Sequence, residues 1–369
     1  MKQRVVVAMS GGVDSSVTAA LLQQMGYEVI GITMCFNLPD ASSKKPRCCG
    51  LQGIEDARRV AHKLGIKHYV LNMQKALDKF VIQDFCKEYL KGRTPNPCVL
   101  CNQHVKFEAL LKKALFLGAA YLATGHYARV GTESATPAYH LRPGVVRGKQ
   151  YLLKKAKDKA KDQSYFLYRL GQRQLRHILF PLGNYTKPQV RELARKFALP
   201  VAEKLDSQEI CFLPGPDYRS FLKSRMAGHI KPGPIVDTKG RLLGEHKGIA
   251  FYTIGQREGL GIAAGYPIYI TKIEPRRNRI VVGSKEEALA REFLVKTPHF
   301  VAQPVKKKVA LKVKIRYNHT EASASVEPAE EYLKVIFREP QFAITPGQSA
   351  VFYSKDTVIG GGIIDEVIG

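Results

Sequence analysis

The chain has 369 residues, enough for two or three domains, and 45% of them are hydrophobic, enough for packed cores. No apolar run approaches the roughly 18 residues of a membrane helix, which excludes a helical membrane protein. Lysine and arginine outnumber aspartate and glutamate 58 to 32, a net charge of +26. That excess argues against an ordinary metabolite enzyme and for a polyanionic partner, nucleic acid first. A basic host proteome or simple solubility charge is the plainer origin of the same balance.

Met1-Lys2-Gln3-Arg4 leads directly into a strand with no signal or transit peptide before it, so the expected location is the cytoplasm. Residues 4–7 form an apolar run suited to a buried strand. Ala8-Met9-Ser10-Gly11-Gly12-Val13-Asp14-Ser15 follows. Val17, Ala20, Leu21 and Met25 then mark one face of a helix that Gly26 ends. A Ser/Gly turn between a strand and a helix start is an anion site, because backbone N–H groups and the helix dipole converge there. Gly11 and Gly12 admit close backbone approach. Asp14 is no use to a bare phosphate and is the candidate magnesium ligand. An ordinary βα turn is the blander reading, but Ser-Gly-Gly-x-Asp-Ser in this setting is more specific than a bare Gly-Gly. It lacks the Gly-Lys-Ser/Thr ending of the Walker pattern. It resembles the PP-loop of ATP pyrophosphatases. That resemblance implies ATP cleavage to AMP and pyrophosphate, with an oxygen adenylated and AMP displaced by a nucleophile.

Strands are predicted at 28–34, 66–71 and 121–124. Helices are predicted with Ile54, Ala57, Ala61 and Leu64 inward, over 77–90, and with Phe107, Leu110, Leu111, Ala114 and Leu115 inward. The alternation predicts a doubly wound parallel α/β sheet. Its ligand belongs beyond the carboxyl ends of the strands, where the 10–15 turn, Met34 and Gly125-His126 share one crevice. Between 92 and 102, Pro95 and Pro97 predict an extended loop. Residues 131–146 read as a loose insertion, and 147–161 pack seven basic residues against Asp158. Thr186 and Gln189 form a capping box before a helix with Val190, Leu193, Ala194 and Phe197 inward. Residues 205–214 read as a loop.

After Pro214 glycine, proline and β-branched residues dominate. The expected division is a PP-loop domain with a helical extension (1–213), a small β-rich domain (214–284) and a C-terminal β-barrel (285–369). In the last, Val309, Leu311, Val313, Ile315 and Tyr317 alternate with Lys312, Lys314 and Arg316. Period two puts the apolar set inside and a basic row outside. With Lys306, Lys307 and Lys308 that row favours contact with a phosphate backbone; a solvated face is the simpler alternative.

The seven cysteines are Cys35, Cys48, Cys49, Cys86, Cys98, Cys101 and Cys211, an odd count that speaks against a disulfide framework. Cys98-x-x-Cys101 is placed on a rigid loop before a helix, whose N-terminus lowers a thiol's pKa toward thiolate. Cys211 is placed on a second loop. Neither loop position follows an apolar period, so both are poor core candidates. A redox pair or persulfide relay of Cys101 and Cys211, a metal or iron–sulfur site with Cys98, and unreactive thiols all stay open. Zinc ranks lowest for want of a fourth ligand. Cys35 and Cys86 are read as packing, and Cys48-Cys49 has no assigned role.

Ser-Gly-Gly-Val-Asp-Ser, Asn-Pro-x-x-x-Cys-Asn, Ala-Thr-Gly-His-Tyr, Lys-Asp-Gln-Ser-Tyr-Phe, Asp-Ser-x-x-Ile-Cys-Phe and Gly-Gln-Arg-x-Gly-Leu-Gly-Ile occur in that order. Together they resemble the bacterial tRNA-specific 2-thiouridylases over nearly the whole chain. The resemblance implies sulfur placed on C2 of a tRNA wobble uridine. Ala8, Met9, Ser10, Gly11, Gly12, Val13, Asp14 and Ser15 would hold ATP, with Asp14 near Mg2+, and Met34 and Gly125 would line the adenosine. Cys101 aligns with the nucleophile and Cys211 with the persulfide carrier, leaving a Cys101–Cys211 disulfide for external reduction. Asn96, Pro97 and Cys98 align with a target-base contact. Lys161, Asp162 and Gln163, and Arg316 and Tyr317, align with tRNA contacts. A sulfur-relay protein or a cysteine desulfurase would supply the persulfide, and an iron–sulfur cluster is the less favoured route. Many members carry Asp where this chain has Cys98; either that acid is dispensable or Cys98 joins the sulfur chemistry. The competing functions are a small-molecule PP-loop synthetase, a non-catalytic RNA-binding module, and a thiolase for another tRNA position.

Overall fold

Val5, Val6 and Val7 are fully buried at the centre of a parallel sheet. The computed structural model describes residues 2–36, 38–39, 46–47, 51–134, 149–205, 210–213 and 217–368. Cys48, Cys49, Pro214, most of the 131–146 segment and residues 206–209 lie outside that set. The strands are β1 (Arg4–Ala8), β2 (Glu28–Cys35), β3 (Lys67–Asn72), β4 (Tyr121–Ala123) and the short Ile178–Leu179. All pair in parallel, in the order β3, β2, β1, β4, Ile178–Leu179. This is the expected doubly wound sheet, with one edge strand that two apolar residues were too short to announce.

The first helix, α1 (Val13–Gln24), starts at the glycine turn itself, four residues before its predicted face begins. Nearly every side of it is covered, since the sheet lies against one flank and α5 (Lys187–Lys196) against another. Met25, expected inward, is 60% exposed: it caps the helix where Gly26 takes φ +87°. Further along are α2 (Leu51–Leu64) and α3 (Gln83–Leu90).

The stretch after Gly92 departs from expectation. Asn96 caps a helix, its Oδ1 accepting the Val99 N–H at 3.4 Å. Pro97 occupies the first turn, where its missing N–H costs nothing. The resulting α4 is α-wound over Pro97–Leu100, π-wound over Cys101–Leu110 and α-wound again over Leu111–Phe116. Cys98 and Cys101 are therefore on a helix, not on a loop before one. Part of the expected loose insertion is also ordered: Arg129–Ser134 pairs antiparallel with Lys149–Lys154.

Four strands make the middle sheet, in the order Leu242–His246, Gly233–Asp237, Arg279–Gly283, Tyr269–Glu274. The C-terminal part is a closed antiparallel barrel of six strands, sealed by Leu289–Phe300 against Thr357–Val367. Phe293, Val313, Val335, Phe337 and Phe352 fill it. The paired strands Arg129–Ser134 and Lys149–Lys154 join the barrel sheet through the Lys154–Thr357 pair. The predicted alternation holds through Ile315, but the strand Val309–Lys314 ends before Tyr317. Tyr317 leaves the barrel and stacks on Phe166, ring centroids 4.5 Å apart. Lys314 and Arg316 are half-buried in the same seam, so only part of the basic row faces solvent.

Candidate active site

The turn after β1 is tied from behind. Met9 N–H donates to Ile32 O at 2.8 Å, and the Thr33 hydroxyl donates to Met9 O at 2.8 Å. Ser15 Oγ accepts the Ser10 N–H at 3.2 Å and donates to Gly12 O at 3.1 Å, closing the turn across α1's first residues. Gly11 has φ +72°, and a Cβ there would fall 2.1 Å from Gly53 O of α2. Gly12 is the N-cap residue, at φ −95°, and a Cβ there would meet only Ser10 Oγ, at 3.5 Å. The fold therefore requires glycine at 11, whereas nothing packed around 12 does. An unhindered N-cap at a helix start is what an incoming phosphate needs.

Asp14 is a hub. Lys187 Nζ donates to both of its carboxylate oxygens, at 2.7 and 2.9 Å, and the Tyr127 hydroxyl donates to Oδ1 at 2.9 Å. Gly125 sits against the same turn, where a Cβ would lie 2.8 Å from Asp14 C and Ser15 N. Gly125, beyond the end of β4, thus lies against the start of α1, and half-buried Met34 lies near the end of β2. Asp14 as a magnesium ligand fits less well. Its carboxylate is neutralised by Lys187, and no cluster of three or more His, Cys, Asp or Glu suited to a metal occurs among the described residues. Lys187 was not singled out from sequence, because it follows a capping residue and carries no motif of its own. Lys204 was missed likewise; its Nζ donates to Gly11 O at 3.0 Å and pairs with buried Asp56.

Cys98 and Cys101 are not where the loop reading put them, whereas Cys211 is. Cys101 is 7% exposed, inside the apolar cluster that also holds Phe85, Tyr89 and Phe212. Burial pushes its thiol pKa up, with Lys106 opposing, so the expected lowering by a helix N-terminus does not occur. Burial likewise raises Cys98, again against Lys106. Cys98 therefore stays protonated at neutral pH and cannot stand in for a carboxylate. Cys211 is exposed, on a turn whose next residue, Phe212, packs edge-on to Phe85 at 5.3 Å. Both thiols thus border one apolar core. Cys86 is buried packing, as read; Cys35 is buried too, and also disulfide-bonded.

The residues aligned with RNA contacts divide. Asp162 is buried, and its carboxylate accepts the Ala156 and Ser164 N–H groups and the Ser164 hydroxyl. These bonds shape its loop. Gln163 Oε1 accepts the Tyr127 N–H at 3.0 Å while Gln163 N–H donates to Tyr127 O at 2.8 Å. This clasp supports the tyrosine that holds Asp14. Lys161 is half-buried. Pro97 is buried, and Asn96 and Cys98 are half-buried. Asn96 lines a cavity of about 120 Å³ at the barrel seam, with Val99, Tyr168 and Lys296. Arg316 donates to Phe342 O at 3.3 Å, and Lys314 Nζ lies 5.4 Å from the Tyr317 ring centre.

Known families cover almost the entire chain. The tRNA methyl transferase HUP domain family matches residues 3–215, the tRNA methyl transferase PRC-barrel domain family residues 219–284, and the aminomethyltransferase β-barrel domain family residues 290–364. A tRNA-specific 2-thiouridylase MnmA from Halothermothrix orenii is 49% identical over 368 residues, covering 98% of this chain and 99% of that protein. One from Pelotomaculum thermopropionicum is 50% identical over 369 residues, covering 99% and 98%. Among solved structures, a 4-thiouridine synthetase–RNA complex with bound ATP aligns with a TM-score of 0.37 at 15% identity, over 62% of this chain and 51% of that one. Identity near one half from end to end, across all three parts of the fold, places the chain in the tRNA-specific 2-thiouridylase family.

Proposed function

We propose that this protein is a tRNA sulfurtransferase that uses ATP to replace the C2 oxygen of a wobble uridine with sulfur. The observation that carries the reading is the end-to-end identity to proteins named tRNA-specific 2-thiouridylase. The open N-cap at Gly12 and two thiols bordering one core are compatible with it.

The target base leaves its stack, since atoms within a stacked anticodon cannot be reached in place. ATP sits with its phosphates on the 10–15 turn, where Gly12, Val13 and the following N–H groups stabilise the charge that develops as the C2 oxygen attacks the α-phosphate. Pyrophosphate leaves, and the C2 oxygen is now part of a good leaving group. Cys211 carries the incoming sulfur as a persulfide, delivered by a sulfur-relay protein or a cysteine desulfurase. Its terminal sulfur reaches C2 directly, or after Cys101 releases it. AMP departs, a Cys101–Cys211 disulfide remains, and an external dithiol reduces it. Asn96 and Cys98 flank the base, and Lys187 and Tyr127 hold Asp14 so that α1's first turn keeps its shape.

The test is Cys211→Ser with ATP, unmodified tRNA and a persulfide donor. The variant should release pyrophosphate in the presence of tRNA and form no 2-thiouridine, read by nucleoside mass spectrometry. Full thiolation by Cys211→Ser would refute the carrier role, and loss of a modification other than wobble 2-thiouridine in cells lacking the gene would refute the substrate.

A further inference from the structure

Helix α4 changes its winding at Cys101. In an α-helix, at about 100° per residue, the side chain five places on points about 140° away. A helix bonded i→i+5 turns roughly 80° per residue, so that angle closes to about 40°. The π-wound Cys101–Leu110 therefore swings Lys106 round toward the side of Cys101. Such windings are rare and recur at functional sites.

Lys106 is half-buried, and among the described residues it makes no salt bridge. Its charge acts on three groups, the Cys98 and Cys101 thiols and the His126 ring. For each thiol burial favours the proton, and Lys106 is the one charge that opposes it. His126 comes from the end of β4, packed 5.8 Å from the ring of Phe107, the residue after Lys106. The cation thus acts both on the cysteine turns and on the strand end that carries His126. On the same π stretch, Asn102 Oδ1 is buried without a partner. A cation lacking a counter-charge and an acceptor lacking a donor mark a cluster that the folded chain leaves incomplete.

We propose that Lys106 is the charge that offsets the burial of Cys101, enlarging the thiolate fraction that attacks the Cys211 persulfide. The inference rests on the sulfur-transfer reading above. Cys101 gives its proton to solvent, and its Sγ bonds to Cys211 Sγ. The bond from Cys211 Sγ to the terminal sulfur breaks, and that sulfur leaves with the electron pair as hydrosulfide. The two cysteine sulfurs are oxidised to a disulfide and the sulfane sulfur is reduced. Lys106 touches neither base nor ATP in this scheme; it is a positioning residue that acts through the thiol.

The test is alkylation of the full chain by iodoacetamide between about pH 6 and pH 10, read for each cysteine by peptide mass spectrometry, since an adjacent opposite charge moves a pKa by about one unit or more. In Lys106→Met the Cys101 profile moves up by about one pH unit, while the Cys211 profile stays in place; Lys106→Arg restores it. With Cys211 preloaded as persulfide, single-turnover thiolation by Lys106→Met falls about tenfold near neutral pH and recovers in alkali, with KM for tRNA unchanged. Lys106→Gln carries the same expectations should the methionine variant misfold. An unmoved Cys101 profile in a folded variant overturns the proposal. A Lys106-dependent profile in a wild-type protein that forms no 2-thiouridine overturns the functional reading instead and leaves the electrostatic effect standing.

Discussion

Adjacent glycines in the 10–15 turn separate folding from binding. Gly11→Ala forces alanine to φ +72°, which costs about 1–2 kcal/mol. Its Cβ would lie 2.1 Å from the Gly53 carbonyl oxygen, so α1 and α2 must part by more than an ångström, at about 1–3 kcal/mol for overpacking. The sum, about 2–5 kcal/mol, lowers Tm by roughly 4–20 °C for a unit of this size. Gly12→Ala is different. At φ −95° and ψ 165° alanine is unstrained, and its methyl meets only Ser10 Oγ at ordinary contact. Alanine is a poorer N-cap than glycine by about 0.5–1.5 kcal/mol, and the stiffer unfolded chain returns about 0.4–1 kcal/mol. Folding stability should therefore hold to within about 1 kcal/mol. The methyl, however, stands where the phosphate must approach, so ATP affinity should fall at least tenfold, about 1.4 kcal/mol. Calorimetric titration with ATP and denaturant unfolding measure the two quantities on the same samples. A Gly12→Ala protein that binds ATP like the wild type would refute the placement of the phosphates on this turn.

Asp14→Asn and Lys187→Met should each weaken ATP binding, and a double-mutant cycle on stability should show coupling of about 1–3 kcal/mol; additive losses would mean that the 2.7 Å pair contributes nothing. At neutral pH iodoacetamide should modify exposed Cys211 first, and Cys98 and Cys101 should lag until alkali, because burial raises their pKa and only thiolate reacts; prompt labelling of Cys101 would contradict its burial. Arg93→Met removes bonds to Glu88 (2.7 Å), Asp365 (3.0 Å) and Ile364 O (2.8 Å), and should cost about 2–4 kcal/mol and expose the barrel seam to protease. Burial alone would raise the Glu88 carboxyl, but hydrogen bonds from Lys91 and Arg93 outweigh it and hold it low. Its contribution is then complete above about pH 4.3 and is lost as pH falls through the depressed value; a seam that melts in alkali instead would reverse the sign.

Much of the fold was legible because period and punctuation agree. Val5 to Val7 read as a buried strand and are one, and the capping pair Thr186 and Gln189 opens α5 with a 2.9 Å bond from the Thr186 N–H to Gln189 Oε1. The misreadings share a cause: local chemistry was given a single meaning. Pro97 reads as a helix breaker, but the first turn is the place that tolerates it. That one residue moved both cysteines from loop to helix, and so turned an expected low thiol pKa into a raised one. Tyr317 fitted a period-two row, but the strand stops three residues earlier, and Phe166 from a distant segment supplies its partner. No periodicity encodes such a contact. Lys187, Lys204 and Lys106 were hidden for a related reason. In a chain with 58 basic residues a single lysine carries no signal until the fold shows which anion or thiol it faces.

The barrel seam constrains how RNA can act on the chemistry under the proposed function. Thr94 N–H donates to Pro346 O at 2.9 Å, Gln348 Nε2 donates to Thr94 O at 3.0 Å and Pro95 O at 3.3 Å, and the Tyr165 hydroxyl donates to Ser349 O at 2.9 Å. A Cβ on Gly347 would lie 2.8 Å from the Thr94 backbone, so the two segments are in close contact. The strap that leads into the Asn96 cap is therefore held by barrel residues some 250 positions away. A ligand that shifts residues 346–349 must pull on that cap, and through it on Cys98 and Cys101. Lys314 and Arg316 are half-buried in the neighbouring seam, whereas Lys306, Lys307 and Lys308 are exposed. Neutralising the exposed three should weaken RNA binding and flatten its salt dependence without slowing a bound turnover. Loosening the strap should do the reverse, leaving affinity in place and slowing the thiols.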